Sequence, residues 1–427
     1  MPPIADHPQR YALVNELHAR PAARIPVPSV ACFLAIKPES NASQRSRAAD
    51  RKHLLDLLGR HGAGHPPPEA THHTAEVGRH ALKWESHTEF VTYMAFEQGR
   101  GARAYDPAAF DVFPDDWLSE APGRRLTSIL FQIEPMPDDP GQVTDRLAEW
   151  FVPEALAAVT VLDGSAVIAS DFRIDRAGHI RMAVFVHPDT GGRRVGRIVQ
   201  RLCEIETYKT ISMLGLTRVR EMSPQMGILD EKLSALTREM KEPGSHSAET
   251  LDELLRISSE LENMMVESSF RFGATGAYEA LVHQRIEVLH ETRFQNRQML
   301  SEFMTRRYDP AMRTVKSTET RLTKMAERAM RAGQLLGTRV DVERSAQNQK
   351  LLESMDRRAD LQLRLQNTVE GLSVVAISYY AVNLAGYVVM PLVEPMGITR
   401  TVAMAALAPV VVLGVWAMVR RIRKRHF

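Results

Sequence analysis

Two long runs without a charged residue lie near the C-terminus, and they constrain the fold more than any other feature. The first extends from Gly371 to Val393, about 23 residues or roughly 34 Å as a helix, which matches the hydrocarbon core of a bilayer. The second covers residues 401–419, about 19 residues, and the segment between the runs is only long enough for a turn. We predict a hairpin of two transmembrane helices. The alternative is a pair of buried core helices, which is disfavoured because tandem runs of this length rarely both belong to a soluble core.

The charges that flank the two runs predict the orientation of the hairpin. Basic residues precede the first run and follow the second: Arg357, Arg358, Arg364, Arg420, Arg421, Arg423, Lys424 and Arg425. Because positively charged flanks stay in the cytosol, we expect residues 1–370 and the basic tail 420–427 to be cytoplasmic. The tail also suits the anionic headgroups of a lipid bilayer.

The overall composition is that of an ordinary globular protein. The 427 residues are 25% charged and 44% hydrophobic, and their formal net charge is +2. So small a charge argues against nucleic-acid binding, which requires a concentrated basic face. The two cysteines, Cys32 and Cys203, favour a reducing compartment, and the N-terminus lacks the basic start and apolar run of a signal peptide.

Residues 1–190 show strand patterns separated by helical ones, which predicts a mixed α/β cytosolic domain. The predicted strands are Ala31–Ile36, Ala81–Glu85, Glu89–Glu97, Leu126–Ile133, Ala158–Leu162, Ala166–Ile174 and His179–His187, and the predicted helices are Asn41–Arg60 and Val143–Phe151. We expect the second and third strands to pair as a hairpin. His72 and His73 are expected to lie in a solvated loop.

Residues 191–370 have almost no strand signal and are predicted to form long helices. The expected helices are Arg197–Met222, which Leu229–Met240 either continues or restarts, Thr250–Tyr308 ended by Pro310, and a last one from Ala311 onward. If the last helix continues to Val393 it has about 83 residues and a length on the order of 125 Å, with an amphipathic stripe. So long a helix needs partners: the preceding helices, other subunits in a coiled-coil stalk, or both. The predicted fold is an α+β cytosolic domain, a long α-helical stalk and a C-terminal two-helix transmembrane hairpin.

Four short motifs carry a resemblance to a known family. They are Asn15–Pro21 (NELHARP), Lys83–Phe90 (KWESHTEF), Thr368–Ser373 (TVEGLS) and Ile377–Tyr380 (ISYY). Together they resemble the signatures of domain-of-unknown-function family 3422 (DUF3422), a bacterial family of membrane-anchored proteins. The resemblance implies a bacterial inner-membrane protein and supplies no activity.

The order of elements also resembles the CorA-like magnesium transporters. An α/β cytosolic domain, long stalk helices that enter the first span, a short outer turn and a basic tail are common to both. The resemblance implies a homo-oligomer, pentameric in that family, whose first spans line a pore. The Gly-Met-Asn motif of that family is missing, and Tyr380–Gly386 (YAVNLAG) stands in the first span instead. This departure puts selectivity of the CorA kind in question.

Three polar residues in the first run, Tyr380, Asn383 and Tyr387, recur at steps of three and four and so share one face of a helix. Because an amide in hydrocarbon requires a partner or water, this face is a candidate pore-lining or oligomer-specifying surface. The alternative is a packing face between the two spans, with Asn383 bonded across to its neighbour.

Two further polar clusters are candidate sites in the cytosolic domain. Glu85, His87 and Glu89 alternate, so in a strand they share one face and could ligate a divalent cation; a solvated strand face gives the same pattern. Glu16, His18 and Arg20 lie in a proline-bounded segment that either docks on the domain or forms part of a ligand pocket.

No phosphate-binding loop, nucleophile elbow or His-Glu-x-x-His sequence is present, so nothing indicates an enzyme, and a tethered enzyme would need a pocket assembled by the fold. The leading hypothesis is an oligomeric ion channel or transporter of CorA-like architecture. The alternative is a membrane-tethered scaffold or sensor whose cytosolic domain binds a ligand or partner.

Overall fold

The computed structural model describes residues 4–11, 13–14, 22–39, 45–240, 247–393 and 399–426. The chain divides into two compact units. The first consists of Met1–Glu242 and Asp252–Ala332, and the second consists of Pro243–Leu251 and Gly333–Phe427. The first unit holds a β-sheet with helices on both faces, and the second holds the two apolar helices.

The strands of the described residues form one nine-stranded sheet. They are β1 (Ser29–Lys37), β2 (His72–Val77), β3 (His80–Ser86), β4 (Val91–Gln98), β5 (Arg124–Pro135), β6 (Ala157–Val161), β7 (Ala166–Ser170), β8 (Ile180–Val186) and β9 (Thr292–Arg293), in the order β2-β3-β4-β1-β5-β8-β7-β6-β9. The pairs are antiparallel except β5 with β8, which is parallel. The predicted α+β character and the β3–β4 hairpin are confirmed.

Helices flank the sheet and then dominate the rest of the chain. They are α1 (Arg47–Arg60), α2 (Asp115–Ser119), α3 (Pro140–Trp150), α4 (Gly192–Glu239), α5 (Ser247–Glu287), α6 (Leu300–Arg307), α7 (Asp309–Val393) and α8 (Arg400–His426), with a 3-10 helix at Pro107–Val112. The predicted helix from Asn41 begins at Arg47, where the Ser46 hydroxyl caps it by accepting a hydrogen bond from the Ala49 amide.

Both faces of the sheet are buried, which explains why β1 reads as a continuous apolar run. Phe33 and alternate residues of β1 pack against α4, α5, α6 and the start of α7. Leu34 and the other β1 residues that point to the opposite face pack against α1, the 3-10 helix, α2 and α3. Because successive side chains of a strand point to opposite faces, a central strand covered on both sides must be apolar throughout.

Two expectations for the connecting segments are wrong. His72 and His73 begin β2, which pairs with β3 at the edge of the sheet, rather than lying in a loop. An edge strand has one neighbour, so its polar side chains remain near solvent and it carries little hydrophobic pattern. The loop that follows α5 interrupts the predicted Thr250–Tyr308 helix, since β9 and the turn before α6 occupy residues 288–299. Glu291 accepts hydrogen bonds from the Leu300 and Ser301 amides and so caps α6.

The helix before Pro310 ends at Arg307, close to the expected end at Tyr308, and Pro310 itself lies in the first turn of α7. A proline is tolerated there since the first amides of a helix have no intrahelical acceptor. From Asp309, α7 continues without interruption for 85 residues to Val393, which confirms the expected continuous helix. Its beginning is fixed in the first unit, where Asp230 of α4 accepts from Arg321 and Arg328.

The middle of α7 buries none of its residues within the described part of the chain. Every residue from Asp341 to Val369 is exposed, including large apolar side chains. The exposed apolar residues here are Val342, Leu351, Leu352, Met355, Leu361, Leu363, Leu365 and Val369. An isolated helix in water gains little from propensity alone, so these side chains indicate a missing partner.

Replacing Gly196 of α4 with alanine is expected to destabilise the first unit. A Cβ atom there would stand 1.7 Å from the carbonyl oxygen of Ala23, which lies against this face of α4. Such overpacking costs about 1–3 kcal/mol or more, because backbone must move. Gly227 of the same helix has no atom within 4 Å of its would-be Cβ, so Gly227→Ala should raise stability by about 1 kcal/mol. The unfolding midpoints of Gly196→Ala and Gly227→Ala are therefore expected to shift in opposite directions. A shift of both midpoints in the same direction would contradict this packing.

Candidate functional site

The Lys83–Phe90 motif forms the end of β3 and the turn to β4. Glu85 lies in β3, whereas His87 and Glu89 follow the strand, so the three residues do not share one strand face. The turn closes through a hydrogen bond from the His87 amide to the Phe90 carbonyl, 2.9 Å, and the two rings stack at 4.4 Å. The alternation in the sequence therefore describes a strand end and a turn rather than one face of a strand.

A buried ion pair fixes one side of this turn. The Arg45 guanidinium donates to Asp50 at 2.7 Å, to the Ser86 hydroxyl at 3.1 Å and to the His87 carbonyl. The side chains of Arg45 and Asp50 are both 2% exposed. Burial raises the pKa of Asp50, and the attraction of Arg45 opposes this increase. The pair joins the start of α1 to the turn.

A second buried pair fixes the other side. Glu89, 2% exposed, accepts from Arg271 of α5 at 2.5 Å, and Arg271 is 13% exposed. Burial raises the pKa of the neighbouring Tyr278 phenol, and the charge of Glu89 raises it further. Charges held at this depth depend on each other for compensation, so Glu89 has a structural partner that occupies its carboxylate.

Glu85 and His87 line a small cavity between the sheet and α4, and Glu89 does not line it. About 30 Å³ is available to the centres of water molecules, enough for one or two waters. Lys83 lies in its wall, 3.1 Å from Glu85 and 3.2 Å from Gln200 of α4. Across the described residues, no three His, Cys, Asp or Glu side chains are grouped as a metal ion requires. A divalent cation at this motif stays a prediction.

A larger cleft of about 440 Å³ opens over the other face of the sheet. Its apolar lining includes Leu34, Ile36, Phe110, Phe113 and Leu118, and its charged or polar lining is Asp111, Asp115, Arg124, Arg125 and His179. That volume suits a small organic ligand, and an apolar lining with a few charged groups is typical of ligand sites. Sequence reasoning missed the cleft because four separate segments contribute to it. The aromatic, proline-bounded segment 107–118 was the available signal.

The charged groups of the cleft are held in distinct ways. Arg124 pairs with Glu39 at 3.0 Å, whereas the Arg125 guanidinium packs over Gly178, where a Cβ would stand 2.7 Å from Nη2. The ring of His179 stacks on Phe110 at 3.8 Å, and its Nδ1 lies 2.9 Å from the Ser128 hydroxyl. Burial, followed by repulsion from Arg125, lowers the pKa of His179, so its imidazole is neutral at pH 7.

The segment that contains Glu16, His18 and Arg20 lies outside the described residues. Its assignment to a docking segment or a ligand pocket stays open.

The second unit contains two helices that are long and apolar enough to cross a membrane, by length and composition. The apolar windows have mean hydropathies of 1.6 and 2.4, and only 11% and 6% of them is buried. They lie in the last part of α7 and in α8. The helices meet where Gly386 lies against Met404, since a Cβ on Gly386 would be 2.7 Å from the Met404 sulfur.

The helix face that carries Tyr380, Asn383 and Tyr387 in the first apolar segment is largely exposed. Tyr380 and Tyr387 are 67% and 77% exposed. The Asn383 amide donates to the Tyr379 carbonyl of its own helix at 3.0 Å. Ser378 is buried instead. At about 100° per residue, Tyr380 and Tyr387 lie roughly 160–180° around the helix from Ser378. This face therefore points away from the buried side of α7.

A family model described as "Protein of unknown function (DUF3422)" matches residues 5–426. The match confirms the resemblance that the four motifs suggest. A search of the curated proteins finds no match.

Replacing Glu89 with leucine is expected to lower stability by about 3–5 kcal/mol, because it leaves the buried Arg271 charge uncompensated. The double replacement Glu89→Leu/Arg271→Leu should recover much of this loss. As a matched control, Glu253→Leu removes a surface pair with Arg256 on the same helix α5 and should leave the unfolding midpoint near that of the unaltered chain. Additive losses in the double variant, measured by denaturant unfolding, would contradict the coupling.

Proposed function

The chain belongs to the DUF3422 family over nearly its whole length, and from its architecture we propose a homo-oligomeric membrane protein of CorA-like organisation that conducts an ion. The observation that carries the proposal is α7. This one helix starts in the core of the sheet unit, passes through a stretch exposed on all sides and ends as an apolar segment of membrane length.

Low burial supports membrane insertion of both apolar helices. A core helix of a soluble protein is mostly buried, whereas these windows are about nine-tenths unburied. Their exposed side chains include Leu384, Val388, Leu392, Val410 and Leu413. Each such side chain gains about 1.5–3 kcal/mol on leaving water, so lipid is the fitting environment. The basic tail favours an inner membrane with both termini in the cytoplasm.

The partner of the exposed stretch is proposed to be the same helix of other subunits. Exposed residues of α7 recur with alternating steps of four and three: Leu361, Leu365, Thr368, Leu372, Val375 and Tyr379. This spacing is the seam of a left-handed coiled coil, which buries one stripe against neighbouring copies. A homo-oligomer whose α7 helices associate along this seam removes the apolar stripe from water.

Such an assembly gives the Tyr380, Asn383 and Tyr387 face a role. At about 100° per residue, the seam centre lies roughly 70° around the helix from this face and roughly 100° from the buried Ser378, which is itself roughly 170° from the face. In a ring of α7 helices with α8 outside, the polar face turns towards the axis. Asn383 is then the residue of this face whose amide can contact a permeating ion or its hydration shell.

A membrane-anchored sensor is the second candidate, and the cleft favours it. The cleft combines apolar lining residues with Arg125, the neutral His179, Asp111 and Asp115, and such a lining can bind a small amphipathic ligand. Under this reading the apolar helices anchor the chain, and no ion crosses. Both candidate functions include membrane insertion. They differ in whether the Tyr380, Asn383 and Tyr387 face of α7 contacts a permeating ion.

The test is the mass of the purified complex together with ion flux. We expect the mass in detergent, corrected for bound detergent, to be a multiple of the 48.0 kDa chain. We expect cation flux into liposomes that Asn383→Leu lowers at least tenfold, since it removes the polar group from the axis. Ser378→Ala removes a hydroxyl from the opposite side of the same helix and should leave flux unchanged. A monomer would refute the pore, and an oligomer without flux under any cation gradient would favour the sensor.

A further inference from the structure

We propose that the α7–α8 pair binds the headgroup of a phospholipid that carries both a phosphodiester and a primary ammonium group, as phosphatidylethanolamine does. The site is an open cavity of about 460 Å³ within the second unit. Its polar lining is Asn367, Glu370 and Arg420, and its apolar lining is Gly371, Val374, Trp416 and Val419. The inference rests on the proposed membrane insertion and adds a ligand to it.

The cavity lies across the border between polar and apolar sequence on both helices. Glu370 directly precedes the first uncharged run, which begins at Gly371. Arg420 directly follows the second, which ends at Val419. In a bilayer this border lies at the depth of the headgroups, with the apolar wall beside the glycerol and acyl chains. A soluble anion would need only the polar lining residues. The apolar residues beside them therefore favour a ligand with an apolar part, such as a lipid.

Arg420 is arranged to meet a phosphate. Its guanidinium lies 4.9 Å from the centre of the Trp416 ring, a cation–π contact that holds the planar group in place. Guanidinium groups bind phosphate oxygens through two parallel hydrogen bonds, which a preorganised side chain forms at lower entropic cost. Trp416 is also of the residue type that concentrates at membrane interfaces.

Glu370 supplies the opposite charge across the same cavity. Its carboxylate accepts a hydrogen bond from Gln366 at 3.3 Å. Among the described residues, neither Glu370 nor Arg420 forms an ion pair with another side chain. A headgroup with phosphate and ammonium ends complements the two charges together. Phosphatidylglycerol lacks the ammonium, and phosphatidylcholine carries a quaternary ammonium that donates no hydrogen bond to a carboxylate.

The experiment measures lipid binding to the full chain, delipidated in detergent, by native mass spectrometry. Phosphatidylethanolamine, phosphatidylglycerol and phosphatidylcholine of the same acyl chains are added in turn. We expect phosphatidylethanolamine to bind at least tenfold more tightly than the other two. Arg420→Gln should weaken the binding of all three lipids, because each carries the phosphodiester, and Glu370→Gln should remove the preference for phosphatidylethanolamine over both of the others.

The matched control is Arg421→Gln, which removes a charge from the adjacent position of the same tail without altering the cavity lining. It should retain both the affinity for the three lipids and the preference for phosphatidylethanolamine. Equal binding of the three lipids, or an equal effect of the two arginine replacements, would overturn the proposal in favour of general attraction to the basic tail. Soluble phosphoethanolamine that competes as strongly as the lipid would overturn the lipid as the source.

Failure of the inference is distinguishable from failure of the proposed function. A chain that alkaline carbonate releases from membranes is not inserted, and both proposals then fall. A chain that stays in the membrane and binds the three lipids equally loses only the headgroup site, since oligomer mass and ion flux are measured separately.

Discussion

Burial of the apolar side chains of α7 is the constraint on which the rest of the structure depends. The helix is anchored at its start by Tyr308 and Met312 in the core beneath the sheet. From Val342 to Val369 its large apolar side chains are exposed among the described residues of the chain. Contacts within the chain satisfy only the first part of this requirement, and we propose that neighbouring copies and a lipid phase satisfy the remainder.

The sheet unit shows how the chain supports the beginning of that helix. Two apolar layers enclose the central strands, and buried pairs join the layers at the β3–β4 turn. Arg45 with Asp50 secures the turn to α1, and Glu89 with Arg271 secures it to α5. Because unpaired charges at such depth are strongly unfavourable, these pairs fix one arrangement of turn and helices. The Lys83–Phe90 motif of the family therefore has a structural explanation.

Much of the architecture follows from hydrophobic patterning. Continuous apolar runs predict central strands such as β1, and an uninterrupted three-to-four-residue period predicts the length of α7. Weakly patterned elements were missed, namely the polar edge strand β2 and the break after α5. Pro310 marks the boundary between α6 and α7 from within the first turn of α7, where a proline costs no intrahelical hydrogen bond.

The sequence by itself determined the α+β class, the long helix and the two apolar segments, because each depends on local periodicity and length. Only the tertiary structure decided which charges are paired. Glu89 and Arg271 are 182 positions apart, and the cleft near His179 and the cavity at Arg420 assemble residues from distant segments. Periodicity indicates which face of an element is buried, but it carries no information on which other element covers that face. Sites built across elements therefore become visible only after folding.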